Sequence, residues 1–436
     1  MSARNKGVKA MQFVEKLRLE IETPRAKRLH VFLEYLIAVI LMIGCNSIWV
    51  TILPIRYYTD AHLMIWLGFA CAGCVVLTGA ILSKKRLQSC AVGFGALAIY
   101  SLVFFLAQDV GRPSFAYYIG GVLILLIYAL ACFDGSVPSL LIRYSNVITV
   151  VAAFSVVMWL LCSVLKIIPP TGVAWTSWNA LVDTNTPVDS YFGVYFTMQG
   201  MRNTSIFAEA PMAALHYGLA LLIQVFLANK TDLKKAIVLV VAIATTASTM
   251  GYLIAAFAVV CYILFWMAQK GFLRKGWVKA ALAAAFLLGV AAVIAVMKWK
   301  VDTTSGSLRS DDLLAGWKSL VHHPLFGNGH GNLRAIRRHM SEWRHFNLGY
   351  SSGLMWVLSD GGLWFAAAYL YPIIRAVVHG IRHRQLKLVL FALALFVIVL
   401  ITVFHYSFLM TLLLLFLAMV GRERAPIKDA DCGQKA

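Results

Sequence analysis

The chain has 436 residues, of which 61% are hydrophobic and only 13% are charged, and its formal net charge is +20. The small charged fraction excludes an ordinary soluble domain, in which about a quarter of the residues are charged. The positive residues lie mostly in short segments next to apolar runs, where lipid contact and membrane insertion account for them. We therefore also exclude nucleic-acid binding.

Apolar runs recur along the chain and raise its mean hydropathy to +0.77. A helix of about 20 consecutive apolar residues is long enough to cross the hydrocarbon core of a bilayer. We therefore predict an all-α polytopic membrane protein with about twelve transmembrane helices. The predicted spans are 31–55, 61–82, 90–108, 115–133, 146–168, 206–228, 236–249, 251–268, 280–298, 351–374, 388–404 and 406–420.

Lys and Arg residues mark the cytoplasmic loops of membrane proteins. Most of the 39 Lys and Arg residues lie in the first thirty residues and in the loops on the same side as that segment. This bias predicts a basic cytoplasmic N-terminus at 1–30, a membrane domain over 31–420 and a cytoplasmic tail at 421–436. The two long loops, 169–205 and 299–350, are then extracytoplasmic, and the second lies between the ninth and tenth spans.

The apolar stretch 236–268 has Lys-rich loops at both ends. Two ends on the same side of the membrane require two crossings. We therefore expect a hairpin of two short helices that turns around the polar run 248–251, on the extracytoplasmic side.

Three polar residues open the sixth span at a spacing of seven, namely Arg202, Glu209 and His216. If the helix begins early enough to include all three, this spacing places them along one face, with a drift of about 20° per heptad. Polar groups inside a membrane are unfavourable and are therefore functional candidates. The alternative is that Arg202 and Glu209 neutralise each other while His216 hydrogen bonds to another helix.

The loop segment 309–350 is unusually polar, because it holds five of the 11 histidines and six basic residues. Arginine has a planar fork that binds two oxygens of a diphosphate at once, and tryptophan offers an apolar face to a sugar ring. We therefore predict that the segment binds an anionic ligand. For any single arginine, the alternative is contact with solvent or lipid phosphate. The residues concerned are Arg309, Trp317, Arg334, Arg337, Arg338, Trp343 and Arg344.

The glycine-rich run 327–331 is not a nucleotide-binding loop, since no Lys-Ser/Thr pair follows it and no βαβ pattern surrounds it. The five histidines near it lack a His-Glu-x-x-His pair and a supporting cysteine. We therefore expect no metal site and no cofactor.

Asp360 is an acidic residue inside the tenth predicted span, directly before Gly361 and Gly362. An acid at this depth is a functional candidate. The alternative is a helix kink or close helix contact at the glycines, with Asp360 hydrogen-bonded locally.

Three patches of the sequence resemble a known family. The segment 202–211 is similar to that family's Arg followed by Phe-x-Glu-x-Pro, and 245–251 resembles its polar Ser-Thr turn. Arg309 with 323–329 is similar to its Arg…His-Pro-Leu-x-Gly-x-Gly signature, which continues into the acid-x-Gly-Leu pattern at 360–363. On these residues the chain resembles the O-antigen polymerase and O-antigen ligase superfamily of bacterial envelope glycan assembly.

The branch of the family is indicated by one departure. Ligases of this family typically carry a His-Asn pair about eleven residues before the Gly-Leu, as the candidate base. In this chain the corresponding positions are Ser351 and Ser352. This favours a polymerase (Wzy-type) over a ligase, although His345 or His339 could substitute if the loop folds back.

The resemblance implies a GT-C-like helical fold in the bacterial inner membrane, with the active site facing the periplasm. It implies a glycan donor on undecaprenyl diphosphate, and membrane lipids and a chain-length regulator as further partners. Arg202 and Arg309, with Arg337 or Arg338, would bind the diphosphate without a metal. The candidate bases for the acceptor hydroxyl are His323, His339, His345 and Glu209.

Three alternatives remain open at this stage. A ligase would transfer the glycan to lipid A-core, and a flippase or transporter would have a similar number of spans. Transporters usually place charged residues near the midplane of two repeated halves, whereas here the polar residues gather on one side. A structural scaffold would leave the arginine cluster without a substrate.

Overall fold

The structure is a computed structural model that describes residues 23–52, 56–79, 84–108, 110–176, 186–197, 201–272, 275, 304–346 and 349–422. Helices make up most of these residues. The predicted span 280–298 lies outside them, as do most of the predicted terminal segments 1–30 and 421–436.

Seven of the described helices are long and apolar enough to cross a membrane, and two further apolar helices are shorter. Each predicted span within the described residues overlaps a helix, while the count of twelve and the GT-C-like arrangement stay predictions. Before the first long loop lie α1 (Pro24–Ile43), α2 (Arg56–Leu77), α3 (Lys84–Ala107), α4 (Arg112–Cys132) and α5 (Ser139–Met158), which a π-helix (Trp159–Val164) extends. After that loop come α6 (Ala210–Leu222) with a π-helix (Ile223–Leu227), α7 (Leu233–Thr245), α8 (Thr249–Gln269), α9 (Thr304–His322), α10 (Leu333–Arg337), α11 (Gly353–Arg382), α12 (Leu386–Ile401) and α13 (Phe408–Met419).

The first long loop adds a small sheet to the predicted helical fold. Strands β1 (Gly172–Thr176), β2 (Thr186–Tyr191) and β3 (Tyr195–Thr197) pair antiparallel in that order. The strands are rich in Val, Thr, Tyr and Phe, which favour pleated structure. Phe192 and Gly193 turn β2 into β3 with positive φ angles of 56° and 68°.

Helix α6 lies at the centre of the bundle. In the span that begins with α6, 94% of the residues are buried, compared with 11% in the span formed by α3. A helix that is apolar all round is stable only inside a protein or a membrane. α6 packs on α5, α7 and α8, whereas α3 packs mainly on α4 and turns its remaining surface outward.

The expected hairpin in 236–268 is present, because α7 and α8 are joined only by residues 246–248. The side chain of Ser248 accepts a hydrogen bond from the backbone N–H of Gly251 at 3.4 Å and so caps the start of α8. The turn comes about three residues earlier than the centre of the predicted polar run.

Residues 402–407 join α12 to α13, and we refer to them as the 402–407 linker. The hydroxyl of Thr402 contacts the sulfur of Met250 at 2.7 Å, next to the α7–α8 turn. The carbonyl of Val403 accepts a hydrogen bond from Asn46 at 3.0 Å, just beyond the end of α1. We call this end of the bundle the loop end, because the linker, the α7–α8 turn and the residues after α1 meet there.

The sheet also lies at the loop end. Residues after α1 form isolated β-bridges with the segment between α5 and α6. Ile52 pairs with Thr176, and Ser47 pairs with Phe207. The indole N–H of Trp49 donates to the carbonyl of Gly193 at 3.2 Å. The segment after α1 therefore connects the sheet to the helical bundle.

Candidate functional site

The first two sequence patches meet at the loop end. Arg202 is half-buried in the loop before α6, and its Nε donates to the carbonyl of Thr246 at 2.9 Å. Asn203 donates from its backbone to the carbonyl of Thr245 at 3.0 Å and from its side chain to the Thr245 hydroxyl at 2.9 Å. The α7–α8 turn therefore fixes the position of the Arg202 guanidinium.

α6 does not begin early enough to include Arg202, Glu209 and His216 on one face, so that prediction was wrong. α6 begins at Ala210, and Glu209 is its extended N-cap residue with φ −156° and ψ 163°. Pro211 explains this start, because proline is favoured in the first turn of a helix. Arg202 precedes the helix and lies on a separate loop.

His216 is buried and bonds across helices, as the alternative reading of the sequence predicted. Its Nε2 lies 2.8 Å from the carbonyl of Cys45 and therefore donates to it. Its Nδ1 then accepts a hydrogen bond from the Tyr144 hydroxyl at 2.7 Å. Both ring nitrogens have protein partners, so we assign His216 a packing role.

The third patch pairs with α11 through its backbone. α11 is broken at Gly362, whose φ of 56° and ψ of −151° are not helical. The break frees backbone groups of α11, and the loop at 323–331 bonds to them. The pairs are Asn328 N–H with Ser359 carbonyl at 2.8 Å, Gly329 N–H with Asp360 carbonyl at 3.0 Å, Leu363 N–H with Pro324 carbonyl at 2.8 Å and Trp364 N–H with Leu325 carbonyl at 3.0 Å.

Glycine is required at two points of this contact. A Cβ on Gly327 would lie 2.4 Å from the carbonyl carbon of Asp360, and one on Gly362 would lie 2.5 Å from the carbonyl oxygen of Pro324. Both glycines also have positive φ angles. The His-Pro-Leu-Phe-Gly-Asn-Gly run and the Asp-Gly-Gly-Leu run are thus one structural unit, and the kink expected at Asp360 is present.

Asp360 is fully buried beneath this loop. Its Oδ2 accepts hydrogen bonds from the backbone N–H of Gly331 and from the hydroxyl of Tyr406, both at 2.6 Å. These partners come from other elements, so the expectation of purely local bonding was wrong. The sequence signal for Tyr406 was available, because the polar run 405–407 lies at the junction of the predicted spans 388–404 and 406–420.

His330 lies beside this pair and is 7% exposed. Its Nδ1 is 3.1 Å from the hydroxyl of Ser114, at the start of α4, and its ring lies 4.2 Å from that of Tyr406. Burial lowers the pKa of His330 to about 4, so the imidazole is neutral at neutral pH. Among the described residues, the buried His330 Nε2 and both ring nitrogens of the neighbouring His405 have no protein hydrogen-bond partner.

A cavity of about 320 Å³ is lined in part by Tyr406. Its volume is at the lower end of the range for small-molecule sites. Polar and aromatic side chains line it together, a combination that suits a sugar. They are Asn46, Thr51, Asp60, Tyr117, Tyr406 and Phe408.

The arginines of the second long loop divide into two groups. Arg309, Arg334 and Arg338 are exposed, and Arg337 is half-buried. Burial and the neighbouring Arg334 lower the pKa of Arg337. These four residues lie on or next to α9 and α10, whereas Arg202 lies by the α7–α8 turn.

Arg344 forms the second group and does not belong to an anion-binding cradle. It is 1% exposed, and its guanidinium contacts the carboxylates of Asp311 at 3.1 Å and Asp312 at 2.9 Å. The prediction that Arg344 binds an anionic ligand was therefore wrong, because α9 supplies two acids that neutralise it.

Ser351 occupies the position at which ligases of the resembled family carry histidine, and it has a structural contact. Its backbone N–H and its hydroxyl donate to Oδ2 of Asp312 at 2.9 and 2.6 Å. Burial raises the pKa of Asp312, although hydrogen bonds from Ser351 and Arg344 oppose that shift.

The candidate bases lie on different elements. His323 is exposed just after α9, and Glu209 is half-buried at the N-cap of α6. His339 stacks on His322 with ring centroids 5.0 Å apart. Burial and the positive charges around His339 lower its pKa, which keeps its ring neutral. The side chain of His345 lies outside the described residues.

Taken together, the described residues form a mostly helical structure in which seven helices are long and apolar enough to cross a membrane. Among the described residues, no three His, Cys, Asp or Glu side chains are grouped so that they could hold a metal ion. The chain matches no protein-family model and no curated protein sequence.

Proposed function

We propose that the protein is a bacterial envelope polysaccharide polymerase. It transfers a glycan from an undecaprenyl-diphosphate donor to a lipid-linked repeat unit at the periplasmic face of the inner membrane. The proposal rests on one observation. The segments that resemble the O-antigen polymerase and ligase superfamily meet at the loop end. The 402–407 linker contacts Met250 of one pair of segments and Asp360 of the other.

The reaction breaks the bond between the donor sugar's anomeric carbon and the diphosphate oxygen. Negative charge develops on the leaving diphosphate, and arginine forks stabilise such charge through paired hydrogen bonds. Arg202 is the first proposed ligand, and its Nε donates to the Thr246 carbonyl. Arg309 and Arg338, which are exposed on α9 and just after α10, are the next two. Arg337 completes the proposed diphosphate site.

The acceptor hydroxyl must lose a proton as the new glycosidic bond forms. His339 is suited to accept it, because its lowered pKa keeps the imidazole neutral at pH 7. His323, His345 and Glu209 are the other proposed bases. The cavity beside Tyr406 is the proposed position of the acceptor sugar, since its lining combines aromatic rings with hydrogen-bonding groups.

A polymerase is favoured over a ligase by the contacts of Ser351. A serine cannot act as a base in the way that a histidine can, and this one donates both of its hydrogen bonds to the buried Asp312.

The test is a deletion of the gene in its own host, followed by gel analysis of the surface polysaccharide and lipopolysaccharide. In the deletion strain, we expect single attached repeat units where the parent strain shows a ladder. Unattached polymer on the lipid carrier would instead identify a ligase, and an unchanged glycan profile would contradict the proposal and favour a transporter.

The site is tested by complementing the deletion with variants. Arg202→Ala and Arg309→Ala should abolish the ladder while the protein is still present in the membrane. The matched control is Arg382→Ala, which removes an exposed arginine at the opposite end of α11. A full ladder with both loop-end variants would remove these residues from the mechanism.

A further inference from the structure

Helix α9 has one face that is buried against the bundle. Asp311 and Asp312 point to Arg344, and the hydroxyl of Ser319 lies 2.7 Å from that of Ser359 in α11. Ala315 is also fully buried. This face fixes the rotation of α9 about its own axis, so the opposite face is presented outward in a defined orientation.

The outward face of α9 is apolar. Leu313, Leu314, Trp317 and Val321 are 44%, 50%, 56% and 57% exposed. At about 100° per residue, their directions fall within an arc of about 100° on the helix surface. Such a continuous apolar arc on a polar loop is unfavourable in water.

Basic residues lie on both edges of this arc. Arg309 lies on one edge, and Lys318 and His322 lie on the other, and all three are exposed. An apolar arc bordered on both sides by cations is typical of helices that lie in the plane of a membrane surface, where the cations meet lipid phosphates.

The apolar arc continues onto a membrane-spanning helix. Leu325 follows α9 and is 63% exposed, and Leu363 of α11 is 55% exposed. The two are held close together, because the backbone of 324–325 bonds to Leu363 and Trp364. The exposed apolar surface of α9 is therefore followed by an exposed apolar residue of α11, a helix long and apolar enough to cross a membrane.

We propose that α9 is an interfacial helix that lies on a bilayer containing anionic lipid. Leu313, Leu314, Trp317 and Val321 insert among the upper acyl chains, and Arg309, Lys318 and His322 contact lipid phosphates. If the proposed function is also correct, this placement holds Arg309 at the depth at which a lipid-linked diphosphate meets the membrane surface.

Photo-crosslinking of the full-length protein in vesicles of phosphatidylethanolamine and phosphatidylglycerol tests this proposal. p-Benzoylphenylalanine is placed at Trp317 or Val321, and lipid adducts are measured by mass spectrometry. The positive control is Phe69, which is exposed on α2, and the negative control is Glu342, an exposed acidic residue in the segment after α10. We expect lipid adducts at Trp317, Val321 and Phe69 and none at Glu342.

Two results would overturn the proposal. One is the absence of lipid adducts at Trp317 and Val321 in a sample in which Phe69 forms them. The other is crosslinking of Trp317 and Val321 to a protein chain in place of lipid. Neither readout requires glycan transfer, so the proposal can succeed or fail independently of the proposed function.

The charged edges are tested with Arg309→Glu and Lys318→Glu in the Val321 crosslinking protein. Each reversal should lower the adduct yield by about five-fold, because a basic residue near an anionic surface contributes about 1 kcal/mol. In vesicles of phosphatidylcholine alone, the same substitutions should have little effect. An equal loss in both kinds of vesicle would show that lipid charge plays no part.

Discussion

The two halves of the loop end hold their charged residues in different ways. Around the α7–α8 turn, the backbone carbonyl of Thr246 holds the half-buried Arg202, and Asn203 bonds to Thr245 beside it. Around the break in α11, buried polar residues form part of the core, and Asp360 accepts hydrogen bonds from Gly331 and Tyr406. This difference distinguishes motif residues that stabilise the fold from motif residues that can contact a ligand. The glycines of the second half belong to the first kind, because they pack in the contact between the 323–331 loop and α11. Among the charged or basic motif residues, Arg309 and His323 are exposed, whereas Arg202 is half-buried.

The largest expected effect on stability comes from Arg344→Ala. The substitution would leave two buried carboxylates without their cation and should lower the free energy of unfolding by about 4 kcal/mol. Arg334→Ala is the matched control, since Arg334 is exposed on the neighbouring α10, and it should change stability by less than about 0.5 kcal/mol. Thermal unfolding in detergent measures both, and equal losses would contradict the division into two groups of arginines.

Gly327→Ala should be nearly as damaging. The added methyl group would contact the Asp360 carbonyl at 2.4 Å in a backbone with φ of 65°, and we expect a loss of about 3 kcal/mol. The same substitution at Gly120 is the control, because a Cβ there meets no atom within 4 Å. A stable Gly327→Ala protein would show that the loop does not depend on its pairing with α11.

Tyr406→Phe should have a moderate effect. It removes one of the two donors to the buried Oδ2 of Asp360 and should lower stability by about 2 kcal/mol. Tyr117→Phe is the comparison, because Tyr117 lines the same cavity but donates to the Asp60 carbonyl at a more exposed position. If both substitutions produce the same small change in melting temperature, the buried acid does not depend on Tyr406.

The smallest change, counted per pH unit, is a dependence of stability on pH through His330. Its pKa is about 4 in the folded protein and 6.5 in the unfolded chain, so the unfolded chain binds the proton first as the pH falls. Stability should therefore decrease from about pH 6.5 to pH 4, by at most about 1.4 kcal/mol per pH unit. His330→Gln should flatten this slope in melting curves recorded across the range. An unchanged slope would mean that His330 takes up its proton in the folded state as well.

Much of this architecture follows from the sequence. Apolar runs located the apolar helices within the described residues, although not α9 and α10, which lie in the predicted loop 299–350. Equal charge at both ends of 236–268 required the hairpin that α7 and α8 form. The start of α6 could also have been predicted, because Pro211 marks it more strongly than the heptad spacing of Arg202, Glu209 and His216.

Other features depend on contacts that sequence spacing does not reveal. Arg344 is paired with acids more than thirty residues earlier in the chain, and nothing in its local sequence distinguishes it from Arg337 or Arg338. Likewise, the glycines at 327–331 have the composition of a ligand-binding loop, but a broken helix is their partner. The role of a glycine-rich run is decided by what approaches its backbone, and that is a property of the fold.

The turn at Phe192 and Gly193 has a practical consequence for epitope insertion. A Cβ on Gly193 would meet no atom within 4 Å, and Phe192 is 64% exposed, so the hairpin tip should accept a short tag without loss of folding. The 323–331 loop should not tolerate the same tag, because its backbone pairs with α11. By sequence alone, this glycine-rich loop looks equally permissive. A tag at the hairpin tip, probed with an impermeant antibody on intact spheroplasts, would report which side of the membrane the loop end faces.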